Sequence, residues 1–318
     1  MAPKPRPLGR SGIEVAPLAL GGNVFGWTAD EKESFRVLDE FVSAGFNLID
    51  TADTYSIWIP GHHGGESESI LGSWLHKSGR REDVVLATKV GMDMGPGGSG
   101  LSAAHIRRSI EGSLRRLHTD RIDLYQAHAD DPNTPLEESL DAFSRLVDDG
   151  KVRAIGASNY TTPRLREALR CSGERGFHRF ETLQPRYNLM DRADFEDGLE
   201  GVCRSEGLGV LAYSSLASGF LTGKYRTRAD LGKSPRGTRA ESRLTERGLR
   251  ILAALDEVAT ESDVTPAAVA LAWTMARPSI TAPIASARSP AQLNELLPAA
   301  SLHLSAEMIQ RLDRASAQ

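Results

Sequence analysis

The chain is predicted to fold as a closed (β/α)8 barrel, and three observations point there. Eight short apolar runs alternate with longer stretches of helical spacing over 318 residues, the order expected of parallel strands joined by helices. A barrel of that kind needs roughly 250 residues, so the chain suffices for one domain spanning residues 1–318. Three consecutive runs also end on titratable residues, where a barrel gathers its functional groups.

Taken in order, Pro7-Leu-Gly-Arg-Ser-Gly-Ile-Glu-Val15 reads as a small hairpin, with Arg10-Ser-Gly12 as the turn, closing the barrel floor. The first barrel strand is Leu18-Ala-Leu-Gly21. A helix follows with Phe35, Leu38, Phe41 and Val42 on one side, then the second strand in Asn47-Leu-Ile-Asp-Thr-Ala-Asp-Thr-Tyr55, which carries Asp50 and Tyr55. The next helix presents Ile70, Leu71, Trp74 and Leu75, and Val84-Val-Leu-Ala-Thr-Lys89 brings a lysine to the third strand end. Ile106, Ile110, Leu114 and Leu117 mark another helix; Ile122-Asp-Leu-Tyr-Gln-Ala-His128 then delivers a histidine, and Leu136, Leu140, Phe143 and Leu146 mark the helix after it. Strands continue at Val152-Arg-Ala-Ile-Gly-Ala157, Thr182-Leu-Gln184, Gly209-Val-Leu-Ala-Tyr213 and Ala282-Pro-Ile-Ala285. The stretch Thr222–Arg247 lacks an apolar period and holds eight Lys/Arg against three Asp/Glu, so it reads as a long basic loop with little reason to order by itself.

Composition removes several function classes. A formal charge of −4 with pI near 6.1 gives no general attraction to nucleic acid or anionic membrane, leaving small molecules as the expected partners. The most apolar helix, Val264 to Ala276, is shorter than the ~20 residues needed to span a bilayer. Two cysteines, Cys171 and Cys203, are too few for a disulfide framework and suit reduced thiols in the cytoplasm. Oligomeric state leaves no mark on the sequence.

Asp50, Tyr55, Lys89 and His128 each have an ordinary reading, as a cap, a rim aromatic, a surface charge and a core imidazole. Together they suit proton chemistry. A phenol with a pKa of about 10 is a poor acid or base near neutrality, but an ammonium within ~4–6 Å favours its ionised form. Lys89 supplies that charge and Asp50 holds Lys89 in place. Rival motifs fit less well: Gly207-Leu-Gly-Val-Leu-Ala212 has dinucleotide spacing but leads into a strand instead of opening a helix. No tyrosine is followed four residues later by lysine. His62-His63 lacks recurring metal-ligand spacing, and no metal is expected.

This set, with Leu8-Gly-Arg-Ser-Gly-Ile-Glu-Val15, Gly64-Gly-Glu-Ser-Glu68, Gly150-Lys-Val-Arg-Ala-Ile-Gly-Ala-Ser-Asn159, Gln184 and Ala212 to Tyr225, resembles the aldo-keto reductase family, including the branch that contains potassium-channel beta subunits. The resemblance covers nearly the whole chain. It implies reduction of an aldehyde or ketone, a keto sugar among the candidates, by a nicotinamide cofactor, NADPH ahead of NADH. Asp50, Tyr55, Lys89 and His128 would be the catalytic tetrad, with Tyr55 as proton donor. Asp50 would also touch the cofactor. Ser158, Asn159 and Gln184 would hold the nicotinamide carboxamide, Tyr213 would stack on its ring, and Gly22 and Asn23 would lie beside it. Ser214, Leu216, Ser218, Gly219, Leu221 and Lys224 fall in the stretch that covers the pyrophosphate. Ser286, Arg288, Gln292 and Glu295 match the element that grips the adenosine end, with Arg288 on the 2′-phosphate. The chain departs from the family at Leu296, where asparagine is frequent, and at Gln292, where some members carry a basic residue. Phe25, Trp27 and Trp58 are candidates for the substrate wall.

Two other readings stand beside this one. Relatives that accompany ion channels use the nicotinamide state as a signal, so a cofactor-sensing subunit with little turnover is an alternative. A barrel glycosidase would need a second strand-end carboxylate, and none stands at a clear position.

Overall fold

Two short antiparallel strands come first in the computed structural model, which describes residues 3–234 and 237–317. In them, β1 (Arg6–Pro7) and β2 (Glu14–Val15) pair Arg6 with Val15 and Pro7 with Glu14. The turn between them requires Gly9: its φ is +62°, and a Cβ there would lie 2.2 Å from the Glu181 carbonyl oxygen at the foot of the barrel.

The barrel is closed by eight parallel strands: β3 (Ala19–Gly21), β4 (Leu48–Asp50), β5 (Val85–Val90), β6 (Ile122–Ala127), β7 (Val152–Ser158), β8 (Phe180–Gln184), β9 (Gly209–Ala212) and β10 (Ala282–Ala285), with β10 pairing both β9 and β3. All eight lie where the apolar runs predict. Around them run α1 (Glu31–Ser43), α2 (Glu66–Ser78), α3 (Ala103–Arg116), α4 (Leu136–Asp148), α5 (Thr162–Arg175), the short α6 (Ala193–Glu196) and α7 (Leu199–Glu206), α8 (Glu246–Ser262), α9 (Pro266–Met275), α10 (Pro290–Leu296) and α11 (Ala306–Ser316). Side-chain caps start several of them: Asp30 accepts from the Glu33 amide, Ser102 from His105, Thr161 from Arg164 and Thr245 from Gly248. Among the described residues no helix is long and apolar enough to cross a membrane.

The alternation of strand side chains sorts residues into two cores. Outward residues such as Ile49, Leu86, Tyr125, Ile155, Leu183 and Val210 join the large cluster beneath the helices. Inward residues, among them Leu48, Ala87, Leu124, Ala154 and Leu211, fill the barrel, and Leu8, Ile13 and Val15 of the hairpin plug it from below. Two residues further along three of the strands the inward position turns polar: Leu48 gives way to Asp50, Ala87 to Lys89 and Leu124 to Gln126. Register places Lys89 beside Gln126, Gln126 beside Gly156, and Ser158 beside Gln184. Gly156 makes room for this layer, since a Cβ would come within 2.1 Å of Thr182 Oγ1 and 3.2 Å of Gln126 Cγ.

The stretch Thr222–Arg247 corrects one expectation. It is not an unanchored basic loop: 3-10 turns occupy Arg228–Lys233 and Gly237–Arg243, and α8 has already begun at Glu246. Most of its cations are held by the protein itself. Arg226 pairs with Asp256, Lys233 with Asp230, Arg243 with Asp191, and Arg247 donates to the carbonyls of Met190 and Ser316. Tyr225 and Ala240 are fully buried. Asp230 lies three residues from Lys233, but counting charges along the sequence misses the partners of Arg226, Arg243 and Arg247, which come from helices and loops distant in the chain. Arg236 lies outside the described residues.

Candidate active site

Asp50, Lys89 and His128 arrive on the carboxyl ends of β4, β5 and β6, and Tyr55 follows on the loop after β4. Lys89 is fully buried with every ammonium proton assigned: Nζ donates to Asp50 Oδ2 at 2.6 Å, to the Thr51 carbonyl at 2.7 Å and to the Tyr55 hydroxyl at 3.4 Å. A lysine ammonium has no lone pair, so the Tyr55 oxygen accepts, and the phenol's own proton is free to point elsewhere. The other carboxylate oxygen of Asp50 accepts from Gln184 Nε2 at 2.9 Å and Gln126 Nε2 at 3.3 Å. The Tyr55 and His128 rings stand edge to face, 6.0 Å between centroids.

Burial by itself would lower the Lys89 ammonium, but the charge and hydrogen bond of Asp50, helped by Tyr55, raise it above its ordinary value. Burial lifts the Tyr55 phenol, and Lys89 pulls it down only in part. The expectation that the ammonium would leave Tyr55 below its ordinary value is therefore corrected: desolvation outweighs it, and the resting phenol is protonated. Burial first and Lys89 second push His128 down to about 3, so its imidazole is neutral at physiological pH. His128 Nδ1 is buried with no partner among the described residues.

These groups open into a cavity of 560 Å³ that runs from Asp50, Tyr55 and His128 to Arg288 and Glu295. Midway, Ser158 Oγ donates to the Gln184 carbonyl at 2.9 Å, Asn159 Nδ2 to the His128 carbonyl at 2.9 Å, and the Tyr213 hydroxyl to Asn159 Oδ1 at 2.7 Å. With Gln184 Nε2 engaged by Asp50, the acceptor Oε1 is the part of that amide left for a ligand. The Tyr213 ring packs against the inner core and is further pinned by its hydroxyl.

The far end is cationic. Lys224, Arg239 and Arg288 line it, and among the described residues none of the three belongs to an ion pair. Ala217, Ser218 and Gly219 follow one another at φ values of 49°, 59° and 90°, a tight left-handed turn closed by the Ala217 amide on the Ser214 carbonyl at 2.7 Å and the Gly219 amide on the Leu216 carbonyl at 2.8 Å. Ser286 Oγ donates to Asn23 Oδ1 at 2.7 Å, joining β10's end to β3's, and Gln292 Oε1 accepts from the Arg288 amide at 3.1 Å. Cations without a carboxylate partner at one end and side-chain amides at the other, along one long cavity, fit a dinucleotide with phosphates at the first end and a carboxamide at the second.

Of the residues singled out from sequence, Asn23, Ser214, Leu216, Ser218, Gly219, Lys224, Ser286, Arg288, Gln292 and Glu295 all reach the cavity wall. Gly22 and Leu221 do not: Gly22 donates its amide to the Asp50 carbonyl at 2.8 Å, and Leu221 is fully buried in the core. Phe25 is likewise fully buried and cannot wall a substrate site. Trp58 is 41 % exposed and meets Tyr55 and Trp27 edge to face, at 5.7 and 5.8 Å between centroids. His62 is turned to the Ser56 hydroxyl, 3.0 Å away. Sequence reasoning missed Met92, Arg239 and Gln126. Gln126 was legible as the inward neighbour of Leu124, two residues on; Arg239 was hidden among basic residues that found protein partners.

Residues 17–317 match the Aldo/keto reductase family. The uncharacterized oxidoreductase YrpG of Bacillus subtilis is 41% identical over 315 residues, covering 96% of this chain and 94% of that protein. Protein tas of Escherichia coli is 32% identical, covering 95% and 94%. A probable voltage-gated potassium channel subunit beta of Oryza sativa subsp. japonica is 33% identical, covering 91% and 88%.

Proposed function

The chain belongs to the aldo/keto reductase family and is an NAD(P)H-dependent carbonyl-reducing oxidoreductase related to the potassium-channel beta-subunit branch; within that family we propose that it uses NADPH to reduce an aldehyde or ketone to the alcohol, with Tyr55 as general acid. The observation that carries this is the Lys89 ammonium, held by Asp50 and donating to Tyr55 at 3.4 Å. Because Tyr55 receives that hydrogen bond, its proton is available to a carbonyl oxygen in the cavity. Lys89 then stands beside the phenolate that forms, where a positive charge lowers the energy of the transition state. Asp50 keeps Lys89 protonated. Neutral His128 offers an N–H to the same carbonyl oxygen and orients it without adding a competing charge. When bound, the reduced nicotinamide supplies the hydride.

Ser158, Asn159 and Gln184 are the groups for the carboxamide, and Tyr213 supplies a ring to stack on; fixing one face toward Tyr55 turns position into rate. Lys224 and Arg239, both on the cavity wall, favour the pyrophosphate. Arg288 favours a 2′-phosphate, since its fork suits phosphate oxygens, which is the basis for placing NADPH ahead of NADH.

The test is to add NADPH and a panel of aldehydes, ketones and keto sugars and to follow the absorbance of the reduced nicotinamide. Turnover is expected. Tight binding with no turnover of any member would overturn the reading in favour of a cofactor-sensing subunit.

A further inference from the structure

A second set of ionisable groups lies behind the four just described. Asp53 is 2 % exposed and Glu68 is fully buried. Glu68 takes the available donors: Thr88 Oγ1 at 2.6 Å to one oxygen and Arg116 Nε at 2.7 Å to the other, with a second nitrogen of Arg116 also 2.7 Å from that oxygen. Asp53 receives only the Thr54 amide, and its Oδ1 has no partner among the described residues. The hydroxyl of Tyr125, a fully buried residue of β6, is likewise without a partner there and lies in the field of Asp53, Glu68 and Arg116.

Two buried carboxyls and a phenol thus share one guanidinium. The donors go to Glu68. Asp53, left without them, is pushed up to about 7 by burial first and then by its neighbour Glu68, so it holds a proton near neutrality. Asp53 is also joined to the catalytic layer, since its amide donates to the Lys89 carbonyl at 3.3 Å and the Lys89 ammonium is close enough for the two charges to interact.

We propose that Asp53 is a positioning residue for the proton step: lodged beside Lys89 and denied a cation of its own by Glu68, it sets through Lys89 how readily Tyr55 yields its proton. The inference rests on the reading of Tyr55 as general acid. While Asp53 is neutral, Asp50 is the carboxylate that balances Lys89, and the remaining field of the ammonium favours the Tyr55 phenolate. When Asp53 ionises, a second negative charge falls on Lys89 and the phenolate becomes harder to form. The groups facing Asp53 are Glu68 from α2, Arg116 from α3, Lys89 from β5 and Tyr125 from β6; Asp50 from β4 acts on it through Lys89.

Asp53→Asn keeps the shape and removes the titration. In the alcohol-oxidising direction, which needs the phenolate, its pH profile should shift to lower pH by about one unit relative to wild type. Superimposable profiles would overturn the proposal. A second readout needs no catalysis. In protein carrying 13C at the aspartate side-chain carboxyls, one resonance that is missing in Asp53→Asn should titrate near neutrality, and in Glu68→Gln it should move down toward the ordinary carboxylate range. An Asp53 resonance that titrates with ordinary aspartates, or one that ignores Glu68→Gln, would sink it even if Asp53→Asn failed to fold. Failure of the functional reading looks different, as wild-type protein inert toward every carbonyl and alcohol while this resonance still titrates as stated.

Discussion

Lys89 donates to the Tyr55 hydroxyl across 3.4 Å and can do nothing but donate, which fixes the direction of the hydrogen bond and leaves the tyrosine proton free for another acceptor. Lys89 is in turn locked by Asp50 at 2.6 Å and the Thr51 carbonyl at 2.7 Å. The proposed acid and its charge partner are therefore arranged before any ligand binds.

Replacing Tyr55 by phenylalanine removes the proposed proton donor and little else. NADPH affinity should stay close to wild type while single-turnover reduction slows by about 10²–10⁴-fold, the usual worth of general acid catalysis. Reduction at the wild-type rate would take Tyr55 out of the mechanism.

Lys89→Met deletes the charge that opposes burial at Tyr55. The phenol, already above its ordinary value, should rise further, so alcohol oxidation should require higher pH as well as being slower. An unchanged pH profile for oxidation would count against the pairing.

Arg288→Ala should weaken NADPH far more than NADH, because only the former carries a 2′-phosphate. Loss of one charged hydrogen-bonding partner amounts to about 1.5–3 kcal/mol, or roughly one to two decades in Kd. Titrating both cofactors by quenching of protein fluorescence checks this; equal losses would make Arg288 a structural residue.

The Thr222–Arg247 segment is held in part by Arg226 on Asp256, and Lys224 and Arg239 reach the cavity. Trypsin should cut it more slowly when NADPH is bound, and Asp256→Ala should speed cutting of the free protein. Identical cleavage with and without saturating NADPH would separate this segment from cofactor binding.

Acid stability provides a test of His128. Its imidazole is pushed down to about 3, whereas in the unfolded chain it takes a proton near 6.5. Between those values the unfolded state binds the extra proton, so stability falls as pH falls, by up to ~1.4 kcal/mol per pH unit. Asp53, raised to about 7, acts with the opposite sign over much of that window, and the two partly cancel in the wild type. Thermal unfolding of His128→Asn should accordingly show stability falling less steeply, or even rising, from pH 6.5 to pH 4. A curve parallel to wild type would mean that His128 is not held neutral by the fold.

By itself the sequence determined the barrel, its eight strands, the plugging hairpin and the gathering of Asp50, Tyr55, Lys89 and His128 at one end of it, because these are written in local periods. Apolar alternation marks a strand, and an inward position two residues past the core layer marks its polar end, as Ala87 and Lys89 show. Local reading could not say which charges were already neutralised. Arg226 and Arg243 look alike with Lys224 and Arg239 along the chain, yet the first two meet Asp256 and Asp191 while the other two line the cavity. The same limit hid the depth of Phe25, and the competition in which Glu68 takes Thr88 and Arg116 and leaves Asp53 with the proton. Burial and Coulomb partners are set by groups tens of residues apart, so only the tertiary structure decided which ionisable side chains carry charge and which carry a proton.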